Sequence, residues 1–289
     1  MILSKLVYNS TLENKVVSNF KKIHLSNLLS PFLFLLAIAI MLFKKNALNI
    51  IEYIEIQKQL FFFLNSKIVK IPNFIFNITQ LGDAIIFFPL LTAFIIYAPK
   101  LWSALSISSI IAVLFSISLK RLFVVPRPAA VFDNDTFIII GETLSSTHSS
   151  LPSGHSITIF MIITILLHAF MPKKISYKVI FSFFILSLGL IVSFTRVGVG
   201  AHFPLDVIIG SIIGYMSAII GIMINNNVDY FNWLKNKKYY PILILLLTIC
   251  MVIIITKLMT NNLLIFYLSI LALLVTNYSM INIYFKKPF

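Results

Sequence analysis

Eight residues in three short stretches have the types and spacing that phosphoryl chemistry requires. Lys120 and Arg127 form the first, Ser153-Gly154-His155 the second, and Arg196, His202 and Asp206 the third. Lys120, Arg127 and Arg196 can neutralise phosphate oxygens, each arginine with a two-pronged hydrogen bond. Ser153 is a favoured helix N-cap, and Gly154 lets an anion approach the free N–H groups of a helix start. His202 and Asp206 are spaced i, i+4 around Pro204, which fits the first turn of a helix. The carboxylate can then hold the imidazole in one tautomer and stabilise its charged form. His155 supplies a second, independent imidazole. Two histidines across one phosphate suggest a nucleophile and a general acid, and the residues alone leave open which is which.

Each stretch also has an ordinary structural reading. Lys120 and Arg127 could be interfacial anchors, Ser-Gly-His a plain helix start, and Asp206 a helix cap. A metal held by His155, His202 and Asp206 is a further alternative, but three nearby cations would repel a divalent ion. The coincidence of all three stretches favours a metal-free phosphate centre, with no cofactor expected.

The rest of the chain places this centre in a bilayer. Of 289 residues, 59% are hydrophobic and only 11% charged, and the mean hydropathy is +0.99. A soluble domain is about half apolar and one quarter charged. The formal charge of +14 does not indicate nucleic-acid binding, because the 23 Lys and Arg fall in short clusters between apolar runs. The single cysteine, Cys250, cannot form an intrachain disulfide. No cleavable signal is apparent, so the first apolar run reads as a retained anchor.

A span needs about 20 mostly apolar residues. Candidates lie near 29–43, 84–98, 101–122, 156–171, 177–195, 204–224, 240–257 and 262–284. A barrel's alternation is absent, so these are predicted helices. The Lys/Arg bias favours both termini on the cytoplasmic side, with Lys5, Lys21, Lys22, Lys173, Lys174, Lys178 and Lys287 among the inside charges. Segment 44–82 resists that bias. Its Lys58, Lys67 and Lys70 around Phe61-Phe62-Phe63 suggest an interfacial amphipathic helix, or a docking surface for an anionic head group. Asp83 reads as an N-cap, His168 as packing near the inner end of the fourth span, and loop 129–151 as a cover over the site.

Parity then brings the three stretches together. Lys120 and Arg127 close the third span and His155 opens the fourth. The chain crosses and returns, so Arg196 closes the fifth span and His202 opens the sixth. All therefore lie at one membrane face, the outer one in this topology.

With these residues in place, the sequence resembles the type 2 phosphatidic acid phosphatase (PAP2) superfamily of integral membrane lipid phosphatases. The resemblance covers roughly residues 29–225. It implies an all-α polytopic helical bundle, with a six-helix PAP2-type core plus two additional C-terminal transmembrane helices. The domain reading is a cytoplasmic segment 1–28, a phosphatase core 29–225, and a linker with two extra helices over 226–289. By this resemblance Lys120, Arg127 and Arg196 bind phosphate with Ser153 and Gly154. His202 is the nucleophile, Asp206 orients it, and His155 protonates the leaving oxygen. Thr195 stands where the family usually has Ser, and the hydroxyl is kept.

The function expected is hydrolysis of a phosphorylated membrane lipid at the periplasmic face of a bacterial inner membrane, with no nucleic-acid partner. The compact Ser-rich approach to the second stretch resembles that of lipid A phosphatases, and this resemblance leans the substrate towards lipid A. The alternatives are an undecaprenyl diphosphate phosphatase or a phosphotransferase with a polyprenyl diphosphate donor. A non-catalytic transporter has no need of two histidines and an orienting acid, and the spans disfavour a haloperoxidase. Because lysine and arginine supply the positive charge that Mg²⁺ gives many phosphoryl-transfer sites, phosphate release should persist in EDTA and be inhibited by vanadate. Loss of activity on chelation with recovery on adding Mg²⁺ would contradict this.

Overall fold

The computed structural model describes residues 11–145, 148–228 and 232–286. Lys5, Lys287 and the first ten residues of the N-terminal segment lie outside the described residues. Regular structure among the described residues is helical, with no strand.

An N-terminal helix α1 (Thr11–Phe20) precedes α2 (Leu29–Lys44), whose apolar residues mostly face outward, as lipid contact requires. Next come α3 (Ile50–Ile68), α4 (Pro72–Thr79), α5 (Ala84–Leu90) and the single turn α6 (Phe94–Tyr97). The bundle continues with α7 (Pro99–Phe123), α8 (Gly154–Phe170), α9 (Ile175–Gly198) and α10 (Pro204–Asn227). It closes with the hairpin α11 (Tyr240–Thr260) and α12 (Leu264–Phe285). Six helices are long and apolar enough to cross a membrane, so this is a multi-pass membrane protein. The shorter α8 is apolar on all sides and has the most buried positions for its length, so it runs through the middle of the bundle.

The structure corrects two expectations. The apolar run 84–98 is not one straight span. It breaks after Leu90, and α5 meets the preceding segment Pro72–Gly82 at 82°. Pro89 lies inside α5, where it lacks an N–H and crowds the preceding turn, which weakens the helix and permits the break seen after Leu90. Segment 44–82 is likewise not a surface helix on all sides. Tyr53, Gln57, Phe61 and Asn65, spaced four apart on α3, are all buried against the bundle. Lys67 and Lys70 remain exposed, while Lys58 lies over the Phe132 ring at 5.8 Å.

Of four packing groups among the described residues, two set the long helices in register. Helix α10 packs closely on α7 and α8 around Leu101, Leu105, Ile157, Met161, Ile213 and Ile219. The α11–α12 hairpin packs on the broken segment through Ile86, Ile95, Leu243, Ile254, Phe266 and Leu273. Polar bonds pin it there: Ser269 Oγ donates to the Ile86 carbonyl at 3.0 Å, and the Thr92 and Thr276 hydroxyls meet at 2.8 Å.

The ends of α7 and α9 and the starts of α8 and α10 lie together, opposite the turn near Lys174. In a Cys250→Ser background, an Asp135→Cys thiol should react with an impermeant maleimide in intact spheroplasts. A Lys174→Cys thiol should react only after lysis. The reverse pattern would invert the topology.

Candidate active site

The site is built from four helix ends and one buried carboxylate. Asp206 lies in the first turn of α10 and is fully buried. Its Oδ2 accepts from the Phe203 backbone N–H at 3.0 Å and from Ser150 Oγ at 2.6 Å. Its Oδ1 accepts from the Tyr53 hydroxyl at 2.8 Å. His202 Nδ1 lies 3.7 Å from Oδ2, within ion-pair range and longer than a hydrogen bond. Catalytic contacts are often loose without substrate and tighten when it binds. Asp206 is thus both a helix cap and the partner of His202, so the two readings of the sequence hold together.

His202 sits between α9 and α10 at 1% exposure. Burial is the main force holding its imidazole well below the usual histidine range, and Arg127, Arg196 and Lys120 add to it. The ring is therefore neutral at ordinary pH. With Nδ1 turned to Asp206 and Ser150, Nε2 carries the lone pair.

The other motif residues gather around it. Ser153 caps α8, its Oγ accepting from the Ser156 N–H at 3.4 Å, and its own N–H donates to the Asp206 carbonyl at 3.0 Å. That bond ties the second stretch to the third. A methyl group placed on Gly154 would lie 3.8 Å from Lys120 Nζ, so the first stretch meets the second here. Arg127 Nε donates to Ser149 Oγ at 3.1 Å and its Nη1 to the Ala201 carbonyl at 3.3 Å. Arg196 is 7% exposed and donates from Nη1 to Thr79 Oγ1 at 3.0 Å. Its Nε–H finds no acceptor among the described residues. All eight residues singled out in the sequence converge on one end of the bundle.

Backbone geometry makes the convergence possible. Gly200 has φ +75°, and any side chain there would strike Phe137 and the Ile138 carbonyl in the covering loop. Gly82, in the bend before α5, lies against His155; an added Cβ would come within 2.5 Å of the His155 Cβ. Loop 129–151 covers the site as expected, supplying Ser149, Ser150 and part of a polar cavity. That cavity, of about 550 Å³, has His155, Arg196 and Ala201 on its wall.

Sequence reasoning missed helix α3. Tyr53 holds Asp206, Gln57 accepts from the Leu205 N–H at 3.0 Å, and Phe61 stacks near Phe203 with ring centroids 5.5 Å apart. Asn65 donates to the carbonyls of Ile138, Val197 and Gly198. The signal was present as a four-residue spacing of polar and aromatic residues, the mark of one helix face. Asp83 caps α5 as expected, accepting from the Ile85 N–H at 3.0 Å, and it also pairs with Lys257 at 3.1 Å. His168 packs against Tyr215, with ring centroids 6.3 Å apart, and takes no part in the site.

The family model described as the PAP2 superfamily matches residues 100–230. The PAP2 region runs from α7 through α10 and holds all eight motif residues. Helix α3 and the α11–α12 hairpin lie outside it. Among solved structures, the crystal structure of Aquifex aeolicus LpxE is similar at 27% identity, over 58% of this chain and 95% of that one, with a TM-score of 0.48. No curated protein matches the chain.

Tyr53 bonds Asp206, so we propose that it positions the carboxylate that pairs with His202. Tyr53→Phe keeps the ring and removes one donor from a buried carboxylate, so kcat should fall about ten-fold with KM held within a factor of about two. A raised KM and a lowered melting temperature with kcat intact would show that Tyr53 only packs.

Proposed function

We propose that the protein is a membrane lipid phosphatase that works through a phosphohistidine on His202. The observation carrying this is the buried His202–Asp206 pair beside Lys120, Arg127 and Arg196 in a PAP2 region. The neutral Nε2 of His202 attacks phosphorus while the bond to the leaving oxygen breaks. Three cations take up the charge on the phosphoryl oxygens, with the Arg196 Nε–H as one donor. The imidazole becomes cationic as the N–P bond forms, and Asp206 offsets that charge. The bound phosphate dianion offsets the cations around His155 and lets that imidazole enter the reaction protonated; it gives this proton to the leaving oxygen, then takes one from the water that hydrolyses the phosphohistidine. Asp206 keeps its place because Tyr53, Ser150 and the Phe203 N–H occupy its remaining acceptor positions.

A lipid substrate is supported by the setting. An apolar cavity of about 420 Å³ between α2, α3, α7 and α10 reaches Tyr53 and Leu151, within one residue's contact of Asp206. It gives hydrocarbon a place at the depth of the phosphate site. We place the catalytic unit in residues 29–225 and the site at the periplasmic face of an inner membrane, following the Lys/Arg bias. Phosphorylated lipid A is the candidate substrate to test first. Undecaprenyl diphosphate and transfer to a second lipid are the competitors, separated by product analysis.

The two histidines are distinguished by the leaving group. His202→Ala should lose activity on every substrate and trap no phosphoenzyme, because no covalent intermediate can form. His155→Ala should lose far more on a lipid phosphate than on p-nitrophenyl phosphate, whose leaving group needs no proton, and should still trap phosphate from the latter. Trapped phosphate in the His202 variant and none in the His155 variant would reverse the assignment.

A further inference from the structure

The polar cavity beside His155 is built partly by residues outside the PAP2 region. The tip of the α11–α12 hairpin contributes Lys257, Thr260 and Asn261, facing Gln80 and Asp83 from the broken segment and Glu142 from the covering loop. The rings of Phe76 and Phe266 and the side chains of Ile139, Ile140, Leu144 and Val199 line the rest, with His155 and Arg196. At about 550 Å³ the cavity is far larger than one phosphate needs and lies within the range of small-molecule sites.

We propose that this cavity is the leaving-group subsite, and that it takes a neutral polyhydroxylated head group of the sugar type. The inference rests on the phosphatase reading of the site. In an in-line displacement the leaving oxygen departs away from His202 and beside the acid that protonates it. His155 lines this cavity, so whatever is attached to that oxygen lies within it. A bare hydrocarbon chain would meet carboxylates, an ammonium and side-chain amides, all of which lose solvation without replacement partners. A second phosphate is disfavoured by charge. Lys257 is already paired with Asp83 at 3.1 Å, and Glu142 adds a further carboxylate. With Arg196 taken up by the reacting phosphate, a second phosphate would face two like charges and one neutralised cation. Hydroxyl groups suit all of these partners: they donate to Asp83 and Glu142 and accept from Lys257 and Asn261. The aromatic rings offer flat apolar faces to a sugar ring. The hairpin is thus a specificity element added to the family core and anchored to it through Ser269–Ile86 and Thr92–Thr276.

The test reads occupancy rather than turnover. Asn261 is exposed at the cavity rim, and only its backbone is bonded, to Lys257 and Leu263, so Asn261→Cys should fold. In purified protein also carrying Cys250→Ser and His202→Ala, the thiol at position 261 is labelled with a maleimide. The probes are a phosphorylated disaccharide glycolipid, a dialkylglycerol phosphate and a polyprenyl diphosphate. The glycolipid should slow labelling about ten-fold at ten times its Kd, and the other two should leave it near the ligand-free rate. Equal or better protection by the diphosphate, or no protection by the glycolipid, overturns the proposal. In protein with His202 intact, Lys257→Met should lower kcat/KM on the glycolipid several-fold more than on the dialkylglycerol phosphate; equal loss on both also overturns it. Protection by the glycolipid without phosphate release from any lipid by protein with His202 intact would instead sink the phosphatase reading, and with it the leaving-group role, and leave only a sugar-binding cavity.

Discussion

The structure is organised around the burial of one carboxylate. Asp206 has no exposed surface, and an isolated charge in such a place would be several kcal/mol too costly to keep. Its charge is acceptable because donors arrive from separate parts of the chain: Tyr53 from α3, Ser150 from the covering loop, and the Phe203 N–H from the turn into α10. Each must be in place for the others to be worth their ordering. The backbone joins in, since the Asp206 carbonyl accepts from Ser153 and so fixes the start of α8. The helix ends therefore meet at one level through hydrogen bonding around a single residue, and not by hydrophobic packing alone.

That arrangement also decides the state of His202. Burial among cations keeps its ring neutral, and in the proposed mechanism it attacks in that state while Asp206 offsets the charge that appears afterwards. The same cations that disfavour a protonated imidazole in the resting protein favour a phosphate beside it. Resting-state repulsion and substrate attraction thus have one source, and substrate binding relieves the first while using the second.

The elements outside the PAP2 region divide into two roles. Helix α3 packs behind the His202–Asp206 pair through Tyr53, Gln57, Phe61 and Asn65, every fourth residue on one face. The α11–α12 hairpin lies against the broken segment, whose Gly82 contacts His155 and whose Asp83 engages Lys257. One holds the carboxylate that pairs with His202, and the other shapes the cavity next to His155. A family core can keep its chemistry while such additions alter what fits.

How much of this was legible beforehand depends on the range of each interaction. The sequence by itself determined the bundle class, most helix bounds within a few residues, and the convergence of Lys120, Arg127, His155, Arg196, His202 and Asp206. Those depend on local hydrophobicity and on parity, since a chain that must cross a bilayer returns its ends to alternating faces. The cap at Ser153 and the cap at Asp83 were also local. Only the tertiary structure decided that Tyr53 and Ser150 hold Asp206, because a hydrogen bond across 153 residues leaves no pattern in a single chain. It alone decided that 84–98 breaks, since a proline in an apolar run is compatible with either a kinked span or a broken one until neighbours choose. It alone placed Lys257 beside His155, because the register of a hairpin against the bundle is set by packing and not by the composition of its helices.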